Sequence, residues 1–452
     1  MTELRYTAIV TGAAFFSGGR NGLKKFNIRT MRKILKRVKE MSERPASRTL
    51  FGNFISLSLL QVVNYLLPLV TLPYLTRIIG VDMFGLLAIA SAIVVYFQTF
   101  IDFGFDYTAA RDIAKNQHDI DAVSKIFWIV SVTKFLLMLA SLVILVLMII
   151  LIPYFREHEV LILITFLYIP GRILFPEWFF QGMEKMKYIT ILNVSAKFLF
   201  TILIFVFIRE KADYIFQPLL IAAGYLAAGI AAVIVIIRHF GIRFYRPERK
   251  DIRESLNGSF DVFINLLMPN LYNNLSTLLL GFWWGNSAAG IFEAGKKVIL
   301  LSEQALQVLS RTFFPYLANN IRNHHVFSKI SFSTGVFFML LFLAGADLFV
   351  KILYTEEFTP AVTIIRLMAV SPVLFSVMNS FGTNYLILMH KERVLRNITL
   401  VSSLIGMIVA IILILDFKAS GAAITLVFVW SLRSILCFVY SGKTRLELLP
   451  ND

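Results

Sequence analysis

A single cysteine, Cys437, stands among 452 residues, which excludes an internal disulfide and a cysteine-built metal cluster. The six histidines (His118, His158, His239, His324, His325 and His390) fall in predicted loops or at helix edges. No HExxH, GxSxG or phosphate-loop pattern occurs, so zinc hydrolases, serine esterases and P-loop ATPases have no sequence scaffold here. Charge is scarce as well: Asp, Glu, Lys and Arg make up 16% of the chain, against about 25% in soluble domains. No polar stretch is long enough to hold a nucleotide-binding domain. The expectation is a protein that is not an enzyme and carries no cofactor or metal. Its energy would come from an ion gradient, the membrane potential or the substrate's own gradient, with H+ and Na+ as the candidate coupling ions.

What is abundant is apolar length. The chain is 58% hydrophobic, and runs of the roughly 20 residues that cross a hydrocarbon core recur along it. Twelve can be marked, near 51–76, 84–105, 126–152, 160–180, 188–208, 215–237, 256–283, 288–314, 327–350, 361–388, 394–415 and 419–440. They are long and continuously apolar rather than alternating, which favours helices over barrel strands. The fold class read here is an all-α polytopic membrane protein of twelve transmembrane helices.

The net charge of +16 is unevenly spread: residues 1–50 hold 12 Lys/Arg against Glu3, Glu40 and Glu43. Residues 1–48 read as a basic cytoplasmic tail beside the membrane rather than a nucleic-acid arm; translation starting at Met31 or Met41 would also explain them. With both termini cytoplasmic, the cytoplasmic segments carry 30 Lys/Arg and the opposite side 6; without the tail the bias is 18 to 6. The positive-inside rule therefore places both ends inside. The longest basic connection lies between the sixth and seventh runs. It divides the chain into a six-helix bundle at 49–237, a linker at 238–255, a second bundle at 256–440 and a cytoplasmic tail at 441–452. Gly80-Val81-Asp82-Met83-Phe84-Gly85 is matched by Gly285-Asn286-Ser287-Ala288-Ala289-Gly290, each opening a long apolar run. That spacing predicts a parallel repeat of the two bundles, facing each other across a polar cavity.

Polar residues within apolar runs mark the cavity candidates. Ser91, Gln98 and Asp102 fall on one side of a 3.6-residue helix. Arg172 and Glu177 lie around Pro170 and Pro176, which suggests a bent, cavity-facing helix. Lys197 shares a face with Thr190, Asn193 and Thr201, and Asn64 and Gln61 precede Pro68 and Pro73, which are expected to bend that helix and free carbonyls. Asn270, Asn273 and Asn274 share a face with Thr277; such groups alone more often hold helices together, whereas beside Lys197 binding and packing are equally expected. The eighth run is richest: Glu293, Lys296, Lys297, Gln304, Gln307 and Arg311 lie on about a third of its circumference. Glu293 is expected to pair with Lys297 at i, i+4, leaving Lys296 and Arg311 less compensated. A buried ion-pair network is the alternative to a water-filled cavity. Cations suit a phosphate, and Asn, Gln and Thr suit sugar hydroxyls. Together they fit a lipid-phosphate-linked glycan whose tail stays among the membrane lipids.

The blocks YLTRIIGVDMFGLLAIA (Tyr74–Ala90), DFGFDYTAARDIA (Asp102–Ala114), EWFFQGMEKMKY (Glu177–Tyr188) and WWGNSAAGIFEAGKKV (Trp283–Val298) resemble a known family. It is that of the bacterial polysaccharide repeat-unit flippases, the O-antigen type within the multidrug/oligosaccharidyl-lipid/polysaccharide exporter superfamily. The resemblance covers roughly residues 48–440. It implies a V-shaped, two-bundle transporter in the bacterial inner membrane. Such a transporter moves undecaprenyl-diphosphate-linked oligosaccharide from the cytoplasmic to the periplasmic leaflet by alternating access and works beside glycan polymerase machinery. The alternatives are a small-molecule exporter of the same superfamily, which would favour acids in the cavity, and a membrane glycan polymerase, which would favour a long basic outer loop.

Overall fold

The computed structural model describes residues 45–319 and 321–447. The expectations for the basic tail and the start codon fall largely on residues 1–44, which lie outside the described residues. Among the described residues the chain is helical, with no strand.

The first helix, α1 (Pro45–Asp102), runs 58 residues, and its helical dihedrals continue through Pro68 and Pro73. They fail only at Gly80, so the glycine, and not the prolines, breaks the run. After it come α2 (Phe105–Lys115), α3 (Ile120–Leu151) and α4 (Pro153–Glu157). The next apolar run is divided into α5 (Glu159–Phe166), α6 (Tyr168–Leu174) and α7 (Glu177–Gly182), the last break falling at Phe175-Pro176. Then follow α8 (Met186–Phe207) and α9 (Phe216–His239). The second half holds α10 (Arg249–Asn273), α11 (Leu275–Trp284), α12 (Asn286–Asn319) and α13 (His324–Leu353). It closes with α14 (Ala361–Met368), α15 (Ser371–Val377), a π-helical turn (Met378–Leu386) and α16 (Glu392–Glu447).

Eight helical stretches among the described residues are long and apolar enough to cross a membrane. Leu67–Lys115 and Glu392–Gly442 have 49 and 51 residues, more than two crossings of roughly 20 each require. The first is broken at Gly80 and again at Phe103-Gly104, and the second at Lys418. At the Lys418 break the chain doubles back: a Cβ on Gly421 would lie 1.9 Å from the Leu413 carbonyl oxygen, whereas eight residues of straight helix span about 12 Å. The expected runs 256–283 and 288–314 are helical but are not among the eight. In the most apolar window of Ile120–Leu151 only 22% is buried, and Leu139, Val143, Leu147 and Ile150 stand exposed. An apolar surface on that scale needs a hydrocarbon solvent. The chain is a multi-pass membrane protein.

The two glycine motifs have matching backbones. Gly80 has φ 70° and ψ −179°, and Gly285 has φ 85° and ψ 174°. That combination of positive φ and extended ψ is open almost only to glycine. Five residues further on, the two copies touch. A Cβ on Gly85 would lie 1.8 Å from the Asn286 carbonyl oxygen, and one on Gly290 would lie 2.4 Å from that of Val81. Around this seam the Glu357 carboxylate accepts the Val81 N–H at 3.0 Å, Ser287 donates to Asp82, and Thr76 donates to the Leu353 carbonyl at 3.2 Å.

The halves also meet where the end of α1 and the start of α2 run beside α10. Tyr96 donates to the Asn270 carbonyl at 2.8 Å, the Phe103 and Phe263 rings stack at 4.4 Å, and Thr108 and Ser259 share a hydrogen bond of 2.7 Å. Residues 240–248, between α9 and α10, and the first turn of α10 are strapped to α3. The Trp128 indole donates to the Arg243 carbonyl at 2.9 Å, and Lys125 pairs with Asp251 at 3.1 Å. Asp251 closes a reciprocal cap with Glu248, and the Glu248 N–H helps hold its carboxyl below the usual carboxylate range.

Candidate functional site

Between the seam and the α1–α10 contact lies a cavity of about 820 Å³. Both arms of α1, together with α8, α9, α10, α12 and α16, supply its wall. Apolar positions such as Leu72, Leu75 and Leu87 face it from α1, and the polar side chains are set among them. The charged lining residues are four cations, Lys197, Lys296, Lys297 and Arg433, against two carboxylates, Glu293 and Glu303.

The cations differ in how they are held. Lys296 is buried and spoken for: it pairs with Glu293, and reaches the Asn273 carbonyl at 3.3 Å and the Thr277 hydroxyl at 3.4 Å. Thr277 donates to the same Glu293 oxygen. Lys197, from α8, donates to the neutral amide oxygen of Asn64 on the first arm of α1. Lys297 is exposed to the cavity, and its ammonium lies 5.0 Å from the centre of the Phe84 ring. Arg433, from α16, has a buried Nε with no hydrogen-bond partner among the described residues, and lies within electrostatic reach of Glu303.

This corrects the expected pairing on α12. Glu293 pairs with Lys296 at i, i+3, not with Lys297 at i, i+4. Both lysines are on the correct face; Thr277 and Asn273 draw Lys296 to one side, and Phe84 attracts Lys297 on the other.

Nine of the thirteen candidate residues line the cavity: Asn64, Lys197, Asn270, Asn273, Asn274, Glu293, Lys296, Lys297 and Gln304. Asn270 and Asn274 also serve packing, since Asn270 donates to Thr99 at 2.9 Å and accepts from Asn274 at 3.0 Å. Four candidates lie elsewhere. Gln307 donates to Glu303 at 3.3 Å, and Arg311 is exposed beyond the cavity wall. The helix carries Arg311 about 21 Å past Lys297 at 1.5 Å per residue. Asp102 is a partner of Lys134, whose ammonium bridges Asp102 at 2.9 Å and Asp106 at 2.8 Å. Arg172 pairs with Glu177 at 2.7 Å, and Asn193 donates to the same carboxylate at 3.1 Å. The bent helix around Pro176 therefore faces an ion-pair cluster within the first half, not the cavity.

The candidate residues omitted Glu303, Gln217 and Arg433. Glu303 lies seven residues past Lys296, two helical turns, and this step was a usable signal. Arg433 is the lone charge in the otherwise apolar run 419–440. Among the described residues no group of three or more His, Cys, Asp or Glu side chains could hold a metal ion.

The family model described as "Polysaccharide biosynthesis protein" matches residues 50–321. The chain belongs to that family. Two curated relatives carry the name "Putative O-antigen transporter". One, from Escherichia coli (strain K12), is 29% identical over 402 residues, covering 87% of this chain and 97% of its own. The other, from Shigella dysenteriae, is 24% identical over 386 residues, covering 83% and 96%. Among solved structures, "Lipid II flippase MurJ, inward closed conformation" aligns with a TM-score of 0.68 at 14% identity, covering 87% of each chain. An inward-facing multidrug resistance MATE family transporter of the MOP superfamily aligns with a TM-score of 0.62 at 13% identity, covering 88% of this chain and all of the other. At such identities the likeness establishes the fold: this member of the polysaccharide biosynthesis family has the helical fold of those transporters.

Proposed function

We propose that this polysaccharide biosynthesis protein is a transporter rather than an enzyme, a flippase for glycans linked to a polyprenyl diphosphate. In this reading it carries undecaprenyl-diphosphate-linked oligosaccharide repeat units from the cytoplasmic to the periplasmic leaflet of the bacterial inner membrane, by alternating access. The observation that carries the reading is the charge balance of the cavity, four cations to two carboxylates, with Lys197 and Lys297 facing it from opposite halves and neither in direct ion-pair contact with a carboxylate among the described residues. A diphosphate between them gains charge-assisted hydrogen bonds in a site screened from bulk water. Asn64, Asn273 and Gln304 offer donors and acceptors to sugar hydroxyls. The names of the two curated relatives support the substrate class.

The proposed architecture is twelve transmembrane helices in two six-helix bundles, 49–237 and 256–440, arranged as a V. Two crossings each are assigned to the long stretches broken at Gly80 and Lys418, and one each to 256–283 and 288–314, the latter turning Glu293, Lys296, Lys297 and Glu303 to the cavity rather than to lipid. The basic segments place both termini and the linker 238–255 in the cytoplasm. The seam at Gly85 and Gly290 is then the closed periplasmic end, and the cavity serves the cytoplasmic leaflet. H+ or Na+ is the proposed coupling ion, and glycan polymerase machinery the proposed recipient of the product.

Reconstituted protein and a fluorescent polyprenyl-diphosphate glycan provide the test. Label placed in one leaflet should become accessible to a membrane-impermeant quencher in the other. Movement of a cationic dye without movement of the glycan would instead favour the small-molecule exporter, whose fold this chain shares.

A further inference from the structure

The contact between Lys297 and Phe84 joins two features. Lys297 belongs to the cavity and to the second half of the chain; Phe84 precedes Gly85, the glycine that touches Asn286 and Gly290 across the seam. The Phe84 ring is 5% exposed. The Lys297 ammonium lies 5.0 Å from its centre. Phe84 also meets the ring of Phe358 edge-on at 5.6 Å and that of Tyr354 at 6.4 Å, and those two rings stack at 5.0 Å. Both are fixed at the seam. Tyr354 donates to the Ala294 carbonyl at 2.9 Å on α12, and Phe358 adjoins Glu357, which accepts the Val81 N–H. One aromatic ring therefore touches a cavity lysine and the packing that holds the seam.

We infer that Phe84 is a positioning residue that couples occupancy of the cavity to the seam: an anion drawn to Lys297 takes the ammonium off the ring and loosens the contact at Gly85. The inference rests on the proposed anion site and adds a route from it. With the site empty, the ammonium is attracted to the electron-rich ring face, a contact between the two halves that favours the closed seam. A diphosphate offers the same ammonium a full opposite charge, which outcompetes a ring quadrupole. The closed state then loses one of its inter-half contacts when the substrate arrives, which is the differential interaction a ligand needs to shift a conformational equilibrium. Phe84 does not have to touch the substrate for this.

The seam can be read by disulfide cross-linking. Asp82 and Ser287 are hydrogen-bonded across it, so Asp82→Cys with Ser287→Cys, in a Cys437→Ala background, reports closure in the full-length protein. The probe is inorganic pyrophosphate, with its binding followed separately by calorimetry. In the reporter background pyrophosphate should bind and lower the cross-linking yield about twofold or more. Phe84→Leu and Phe84→Met both fill the space without a ring; both should still bind pyrophosphate, but their cross-linking should no longer respond. Phe84→Tyr, which keeps the ring face, should restore the response, which a packing role alone would not require. Two apolar variants guard against one that fails to fold, and the parent arm needs neither. If pyrophosphate binds but leaves the yield unchanged, or if the ringless variants respond like the parent, the coupling is wrong while the anion site stands. Absence of pyrophosphate binding in the parent overturns the anion site, and this inference with it.

Discussion

Within the cavity, Lys296 and Lys297 are adjacent in sequence and opposite in circumstance. Lys296 is buried against Glu293, Thr277 and the Asn273 carbonyl, while Lys297 has a ring for company. Their substitutions should therefore fail differently. Lys296→Gln strands the buried Glu293 carboxylate, and breaking a buried pair in this way costs about 3–5 kcal/mol. The expected outcome is reduced protein in a membrane immunoblot. Lys297→Gln and Lys197→Gln strand no carboxylate. Each removes a charge-assisted bond to the proposed diphosphate, worth about 1.5–3 kcal/mol, so translocation should fall roughly tenfold or more at normal abundance. Normal abundance for Lys296→Gln would show that the pair is dispensable to the fold. The sequence placed all three lysines among the candidates because a cation in an apolar run needs a reason. It favoured Lys297 as the partner of Glu293, where the structure has Lys296. Positions i+3 and i+4 are equivalent on an isolated helix, and the choice is made by Thr277 and Phe84, which lie on other helices. Asp102 and Arg172 were misplaced for the same reason. Their partners Lys134 and Glu177 satisfy them inside the first half, and local spacing does not distinguish a satisfied ion pair from a cavity wall.

At the level of elements, the glycine motifs carry the design. Gly80 and Gly285 supply the same rare backbone conformation, and Gly85 and Gly290 supply the close approach. These pairs should separate by experiment. Gly80→Ala introduces backbone strain of about 1–3 kcal/mol and should lower the thermal unfolding midpoint of the detergent-solubilised protein. Gly85→Ala keeps a helical conformation and adds only a methyl group, but that group would meet the Asn286 carbonyl oxygen at 1.8 Å. It should leave membrane abundance near normal and abolish complementation of surface glycan, because the seam cannot close. Full complementation by Gly85→Ala would show that closure there is not part of the transport cycle. The motif was visible in the sequence as a repeated six-residue spacing. The contact between its two copies was not, because it depends on how the halves dock.

For the whole molecule, the apolar content announced a helical membrane protein, and the basic segments imply an orientation that can be measured. Reporter fusions after Gly285 and after Lys418 should read periplasm, and a fusion after Pro247 should read cytoplasm. The opposite result at Pro247 would end the twelve-span account. The cavity was legible only as separate polar stripes. That α1, α8, α10, α12 and α16 bring their stripes to one space of about 820 Å³ is a product of packing. The central claim is that this space recognises a diphosphate through lysines from both halves. It is tested most directly by initial rates of translocation in proteoliposomes, comparing one glycan on a polyprenyl diphosphate and on a polyprenyl monophosphate. The wild type should move the diphosphate faster, and the double variant Lys197→Gln, Lys297→Gln should lose both that preference and most of the rate. A double variant that moves the diphosphate-linked glycan at the wild-type rate would contradict the account.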